Sequence, residues 1–145
     1  MSKNDLSTLS SPRFELEPVF TVRVELGPED DDSVRLALSE NIGLNYGNYD
    51  HVSFETAVGT QFFRGHQGTA NGAMERATTR PVRSLTFSIP RNEETLKSTL
   101  DIIHRLHSYE EPVVYVDEAY ATRACVSGRD TNPNKWWRSG DSLHE

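Results

Sequence analysis

No run of apolar residues in this chain of 145 comes near the roughly 20 that a helix needs to cross a bilayer, which excludes a helical membrane protein. Residues 1–18 lack the apolar core of a secretory signal peptide. There is one cysteine, Cys125, so no intrachain disulfide can form. These three absences point to a cytoplasmic protein in a reducing compartment, with no membrane attachment. Cys125 leaves a second reading open, as a reactive or metal-binding thiol. Basic charge is also scarce: 15 Lys and Arg stand against 22 Asp and Glu, a formal net charge of -7. An acidic surface repels phosphate backbones, so nucleic acid is excluded as the expected partner. The chain has no nucleophile elbow of the Gly-x-Ser-x-Gly kind, no P-loop, no dinucleotide fingerprint and no solenoid repeat. Hydrophobic content of 35% and a mean hydropathy of -0.61 are low, as expected for one small core flanked by polar ends.

Three regions follow: a flexible arm over 1–18, a folded domain over 19–126 and a flexible tail over 127–145. Phe20, Val22, Val24 and Leu26 alternate with Thr21, Arg23 and Glu25, the period of a half-buried strand, and Gly27-Pro28 ends it. Asp30, Asp31, Asp32 and Ser33 supply N-cap candidates for a helix carried by Val34, Ala37, Leu38 and Ile42 and stopped by Gly43. Short strands are expected at 52–55 and 60–64, joined through Gly59, followed by a long loop from Gly65 to Thr79. Leu85, Phe87 and Ile89 form a strand closed by Pro90. Asn92 caps a second helix whose stripe is Leu96, Leu100, Ile103 and Leu106 or His107. Pro112 stops that helix, and 113–118 is the last core strand. The order β-α-β-β-β-α-β predicts an α+β, ferredoxin-like sandwich with an extra central hairpin.

Charge is concentrated in two places. Residues 25–32 hold Glu25, Glu29, Asp30, Asp31 and Asp32 with no base, whereas 64–91 hold Arg64, Arg76, Arg80, Arg83 and Arg91 against Glu75 alone. Arginines among glycines could cradle an anion, with Arg64, Arg76, Arg80 and Arg83 as its ligands. The other reading of the same stretch is a solvated loop. His104 and His107 lie at i, i+3 and could share a metal, with His51 and Glu110 as further ligands and a divalent metal as the candidate cofactor. Histidines near a helix C-terminus also complement its dipole. In Tyr109-Glu110-Glu111-Pro112, adjacent carboxylates entering a strand face opposite ways, so the turn reads as structure or subunit contact rather than catalysis. Trp136-Trp137, between Lys135 and Arg138, either docks on this protein or forms a motif for a protein partner.

These residues carry a resemblance. Tyr46-Gly47-Asn48-Tyr49-Asp50-His51-Val52-Ser53-Phe54, then Gly59 to Arg64, then His107 with Tyr109 to Pro112, resemble the small central domain of the Nif-three-like (interacting factor three) proteins, which also occurs free-standing. The late motif is similar to the Tyr-Glu-x-Pro turn of CutA proteins. The resemblance runs from Phe20 to Asp117 and makes Asn48, Tyr49, Asp50, His51, His107, Tyr109, Glu110, Glu111 and Pro112 the family-motif positions. The chain departs from the pattern at Ser108, where the family has proline, and at Val52, where it often has cysteine. The resemblance implies a CutA-like or PII-like fold, a homotrimer, and a non-enzymatic binding or regulatory module for an anion or divalent metal. A metal-dependent hydrolase or cyclohydrolase is the alternative it offers. The dinuclear metal centre of the longer relatives lies in their flanking domains and is not carried over.

Overall fold

A computed structural model describes residues 5–125 together with Asn132, Asn134 and Lys135. The elements are β1 (Ser10–Ser11), β2 (Phe14–Leu26), α1 (Ser33–Asn41), β3 (Phe54–Glu55), β4 (Gly59–Phe63), β5 (Thr78–Pro90), α2 (Glu93–Leu106) and β6 (Val114–Ala124). Apart from the two-residue β1, this is the expected order. β2 is the central strand. It pairs antiparallel with β5 on one side (Val22↔Phe87) and with β6 on the other (Val22↔Val116). The spatial order β6-β2-β5-β3 belongs to a ferredoxin-like sheet, with every pairing antiparallel.

Alternation puts Phe20, Val22, Val24 and Leu26 of β2 on the same face as Leu85, Phe87 and Ile89 of β5. Both helices cover that face, α1 through Val34 and Leu38, α2 through Ile102 and Ile103. The opposite face carries Thr21, Arg23, Glu25, Thr86 and Tyr115, and no helix of the described residues is packed into it. α2 is capped as expected: Asn92 Oδ1 accepts from Thr95 N at 3.1 Å. Glu93 and Glu94 in its first turn and His104 and Arg105 in its last complement the dipole. Gly43, with φ of 100°, turns the chain out of α1.

Three expectations shift, and one left open is settled. β2 starts at Phe14, so residues 10–18 of the expected arm are largely strand. Ser10 and Ser11 turn back on Glu15 and Phe14, and Phe14 to Pro18 find their partners far away, along β6 from Ala124 back to Tyr120, which local alternation cannot show. β5 likewise starts at Thr78, inside the expected loop, because Thr78 to Val82 pair with β4. Of the two residues open at the end of the α2 stripe, His107, just past the helix, is buried and Leu106 is exposed. The extra hairpin is β4 with β5, and β3 and β4 lie end to end along the same edge of β5. Between Glu55↔Leu85 and Gly59↔Val82, this edge advances four residues while β5 advances three. The surplus residue is a bulge, and it opens a notch in the sheet. Trp136 and Trp137 lie outside the described residues, as does most of 127–145.

Candidate functional site

The residues singled out from sequence fall at the two ends of the sheet. His107 to Pro112 lead into the start of β6. Tyr46, before the Gly47-Asn48-Tyr49-Asp50 turn, meets the far end of that strand, its ring 4.3 Å from the Arg123 guanidinium and its hydroxyl 3.5 Å from Thr122 Oγ1. From Val114 to Thr122 is eight residues, about 26 Å of strand. Within one chain the two motifs therefore lie too far apart to share a site.

The first end is a corner where the Gly27–Asp32 segment, the His107–Pro112 turn and the β4–β5 hairpin meet. Asp30 is buried at its centre. Its carboxylate accepts from Gly27 N (3.0 Å), Ser108 N (2.8 Å) and Ser108 Oγ (2.7 Å). A buried carboxylate is tolerable because three donors satisfy it. His107 is buried beside it. Nδ1 accepts from Tyr109 N at 3.0 Å, so Nε2 carries the proton that it donates to Glu25 O at 2.5 Å. The 3.6 Å approach of His107 Nδ1 to Asp30 Oδ2 is then a close contact and not a hydrogen bond. Tyr109 packs its ring 4.7 Å from that of His107 and against Gly27, where an added Cβ would come within 2.9 Å of Tyr109 Cε1 and Oη. The Tyr109 hydroxyl is buried without a hydrogen-bond partner, and burial pushes its pKa up.

Two of the four expected anion ligands are committed to this corner. Arg83 donates to the carbonyls of Gly27, Asp30 and Asp31 and pairs with Glu55 at 3.2 Å. Arg80 pairs with Glu29 and lies 5.6 Å from the Tyr109 ring centroid. The hydrogen bond from Arg80 holds the Glu29 carboxyl below its usual range. The charge excess of 25–32 and that of 64–91 thus meet each other. Arg64 and Arg76 have no ion pair or hydrogen bond among the described residues and sit, exposed, on the 64–77 connection. That connection is folded rather than loose. Met74 N donates to Gly65 O, Thr69 Oγ1 bonds His66 O and Gly72 O, and Ala70 N donates to Glu110 at 2.9 Å.

The structure does not gather the expected metal ligands. His104 is exposed on α2. His107 adopts extended geometry one residue past the helix end, so the i, i+3 relation does not put the two on one face. His51 sits near Asp50 (3.2 Å) in the loop after α1, and Glu110 holds Ala70 N. Among the described residues no three His, Cys, Asp or Glu side chains form a group that could hold a metal ion. Glu111 is exposed, and Pro112 sets the chain for β6.

Sequence reasoning missed Asp30 as the centre of the corner, and it missed the notch at the β3–β4 bulge. The notch is a concavity of about 480 Å³ on the uncovered sheet face, lined among others by Glu25, Gln61, Ser84, Val82, Val113 and Tyr115. Next to it the β3–β4 edge exposes Phe54, Val58 and Phe62, at 68%, 67% and 73% of their surface.

No family model matches the chain, and no match is found among curated proteins. Solved structures do match. A Bacillus cereus protein related to NIF3 superposes with a TM-score of 0.60 at 22% identity over 72% of this chain. The match spans only 26% of that protein's length. The divalent ion tolerance protein CutA1 from Ehrlichia chaffeensis gives 0.53 at 10% identity, covering 83% of this chain and 89% of its own. CutA1 from Oryza sativa gives 0.51 at 14% identity, with 75% and 84% covered. At these identities the likeness is one of fold, and it extends over nearly the whole of the CutA1 chains. The chain has the ferredoxin-type α+β fold of CutA1 proteins.

Proposed function

We propose that this protein is a non-enzymatic binding or regulatory module that works as a homo-oligomer, with a trimer as the expected state. The observation that carries the reading is the β3–β4 edge. Among the described residues it is an unpaired strand edge, with three large apolar side chains more than two-thirds exposed. An edge of this kind pairs with another chain unless it is blunted by charge or covered. The pairing of charges at the Asp30 corner supports the non-enzymatic half of the reading: Asp30, His107, Arg80 and Arg83 are spent on holding loops together, which leaves them poorly placed to move protons on a substrate.

For an anionic ligand, Arg64 and Arg76 are the residues this reading assigns, because Arg80 and Arg83 already have partners. A loop held by Glu110 would bring them up as a unit. Light scattering on the full chain at micromolar concentration tests the assembly. The expected mass is three times 16.4 kDa, and a clean monomer removes the reading. Titration calorimetry with AMP, pyrophosphate and sulfate tests the anion, with Arg64→Ala/Arg76→Ala as the variant expected to lose binding.

A further inference from the structure

The notch at the β3–β4 bulge differs in chemistry from the arginine-bearing loop, and it does not depend on the assembly proposed above. Its residues include one carboxylate, Glu25, and no lysine or arginine. The side chain of Glu25 is 19% exposed, so it is largely desolvated yet reachable. Its two oxygens have unequal partners. Oε2 is paired with the Arg23 guanidinium at 3.0 Å, whereas Oε1 takes the neutral carboxamide of Gln61. Arg23 brings a full positive charge to the carboxylate and Gln61 only a neutral donor, so Gln61 is the partner that a cation would replace.

The wall beside Glu25 already receives a cation. The Arg23 guanidinium carbon lies 4.5 Å from the centroid of the Tyr115 ring, within the range in which a ring face attracts positive charge. Val82 and Val113 give the notch an apolar part, and the hydroxyls of Thr60 and Ser84 add polar contacts. A volume of about 480 Å³ suits a small molecule. The net charge of -7 draws cations toward the protein and repels anions. The bulge explains why the notch exists here. Thr56 N still donates to Ser84 O at 2.9 Å, but Ser84 N donates to the Thr56 hydroxyl at 2.9 Å instead of a strand carbonyl, and pairing resumes only at Gly59, which leaves the sheet open between Thr56 and Gly59.

We propose that this notch binds a small organic cation, one with an ammonium or guanidinium group on a short apolar body, with Glu25 as its counter-ion and Gln61 as the group it displaces. The probe is agmatine, which carries both cationic groups on four methylenes, titrated into the full-length protein in whatever assembly state it adopts. Binding is expected below 1 mM and should weaken as salt is raised, because the attraction is screened over about 8–10 Å. Glu25→Gln should lower the affinity at least tenfold, while Gln61→Ala, which frees Oε1, should raise it. Amide shifts on agmatine addition should fall on Thr60, Gln61 and Ser84, a readout that holds even where Glu25→Gln folds poorly. Agmatine failing to bind below 1 mM, shifts confined to other residues, or AMP occupying the same amides would each overturn the proposal. A monomer that binds agmatine separates this inference from the oligomer reading, and an oligomer that ignores agmatine does so in the other direction.

Discussion

The Asp30 corner and the β3–β4 edge lie at the same end of the sheet and are built on opposite principles. At the corner nearly every polar group has a partner within the chain. Asp30 takes three donors, both nitrogens of His107 are used, and Arg83 donates to three carbonyls. The edge has an open strand side, exposed phenylalanines and an interrupted ladder. A motif dense in His, Tyr, Glu and Asp turned out to be a fastening, and a stretch with little charge turned out to be the surface free to meet other molecules. Residue types that can do chemistry are no guide to where chemistry happens until their hydrogen bonds are accounted for.

That contrast is testable from the corner first. Asp30→Ala removes one acceptor side chain and strands Gly27 N–H, Ser108 N–H and Ser108 Oγ. Each buried donor left without a partner costs about 1–3 kcal/mol, so a loss of about 3 kcal/mol in total is expected, after partial rescue by water. Urea denaturation with an unchanged slope would read it. A midpoint like that of the parent protein would mean that the corner is no fastening.

Gly27→Ala should cost less. The new Cβ would meet Tyr109 at 2.9 Å, and the ring must tilt away from its place between Gly27 and His107. Overpacking of this kind typically costs about 1–3 kcal/mol. Combining the change with Tyr109→Ala should recover part of that loss, since the clash disappears with the ring. Strict additivity of the two in denaturation would show that they do not touch.

Much of this fold could be read along the chain. Pro112, Asn92, Gly43 and the alternation from Phe20 to Leu26 are local signals, and each marks its element. The corner was hidden because its partners are distant: Asp30 meets Ser108 across 78 residues. Within Glu29-Asp30-Asp31-Asp32 nothing local tells which acid turns inward, and the run reads as a helix cap. In the structure Asp31 accepts from Ser33 N at 2.9 Å, and Asp32, at the N-cap position, makes no side-chain cap bond. The bulge was hidden for a similar reason. A ladder offset depends on the β5 partner, and one strand alone does not contain it.

Tyr109→Phe should have a smaller effect and the opposite sign. The hydroxyl is buried without a partner, so its removal should be neutral or stabilising by about 1 kcal/mol or less. Burial raises the Tyr109 pKa above its ordinary value of 10.0, which means that the folded state holds this proton more tightly than the unfolded state does. The stability so contributed is complete below pH 10 and is lost as pH rises through the higher folded value. The phenylalanine variant should therefore show a shallower alkaline fall in melting temperature than the parent. Identical alkaline profiles would place the hydroxyl in water.

The smallest effect on the fold is expected at the edge, from Phe62→Asp. Phe62 is 73% exposed, so the substitution removes little that the isolated domain buries. Exposed positions of this kind change unfolding free energy by about 0.5 kcal/mol or less. Assembly should respond instead. A carboxylate on the edge opposes pairing with a second strand, as charged edge residues do in natural sheets. The other long edge, β6, already carries Asp117, so a neighbour approaching there meets negative charge in the parent protein. Light scattering should show Phe62→Asp falling toward 16.4 kDa while its denaturation curve, extrapolated to the monomer, stays in place. An assembly that survives the substitution would move the contact to β6 or to the uncovered sheet face. A variant that unfolds would show that the phenylalanine packs within its own chain, and the division between a fastened corner and an open edge would then fail at its simplest point.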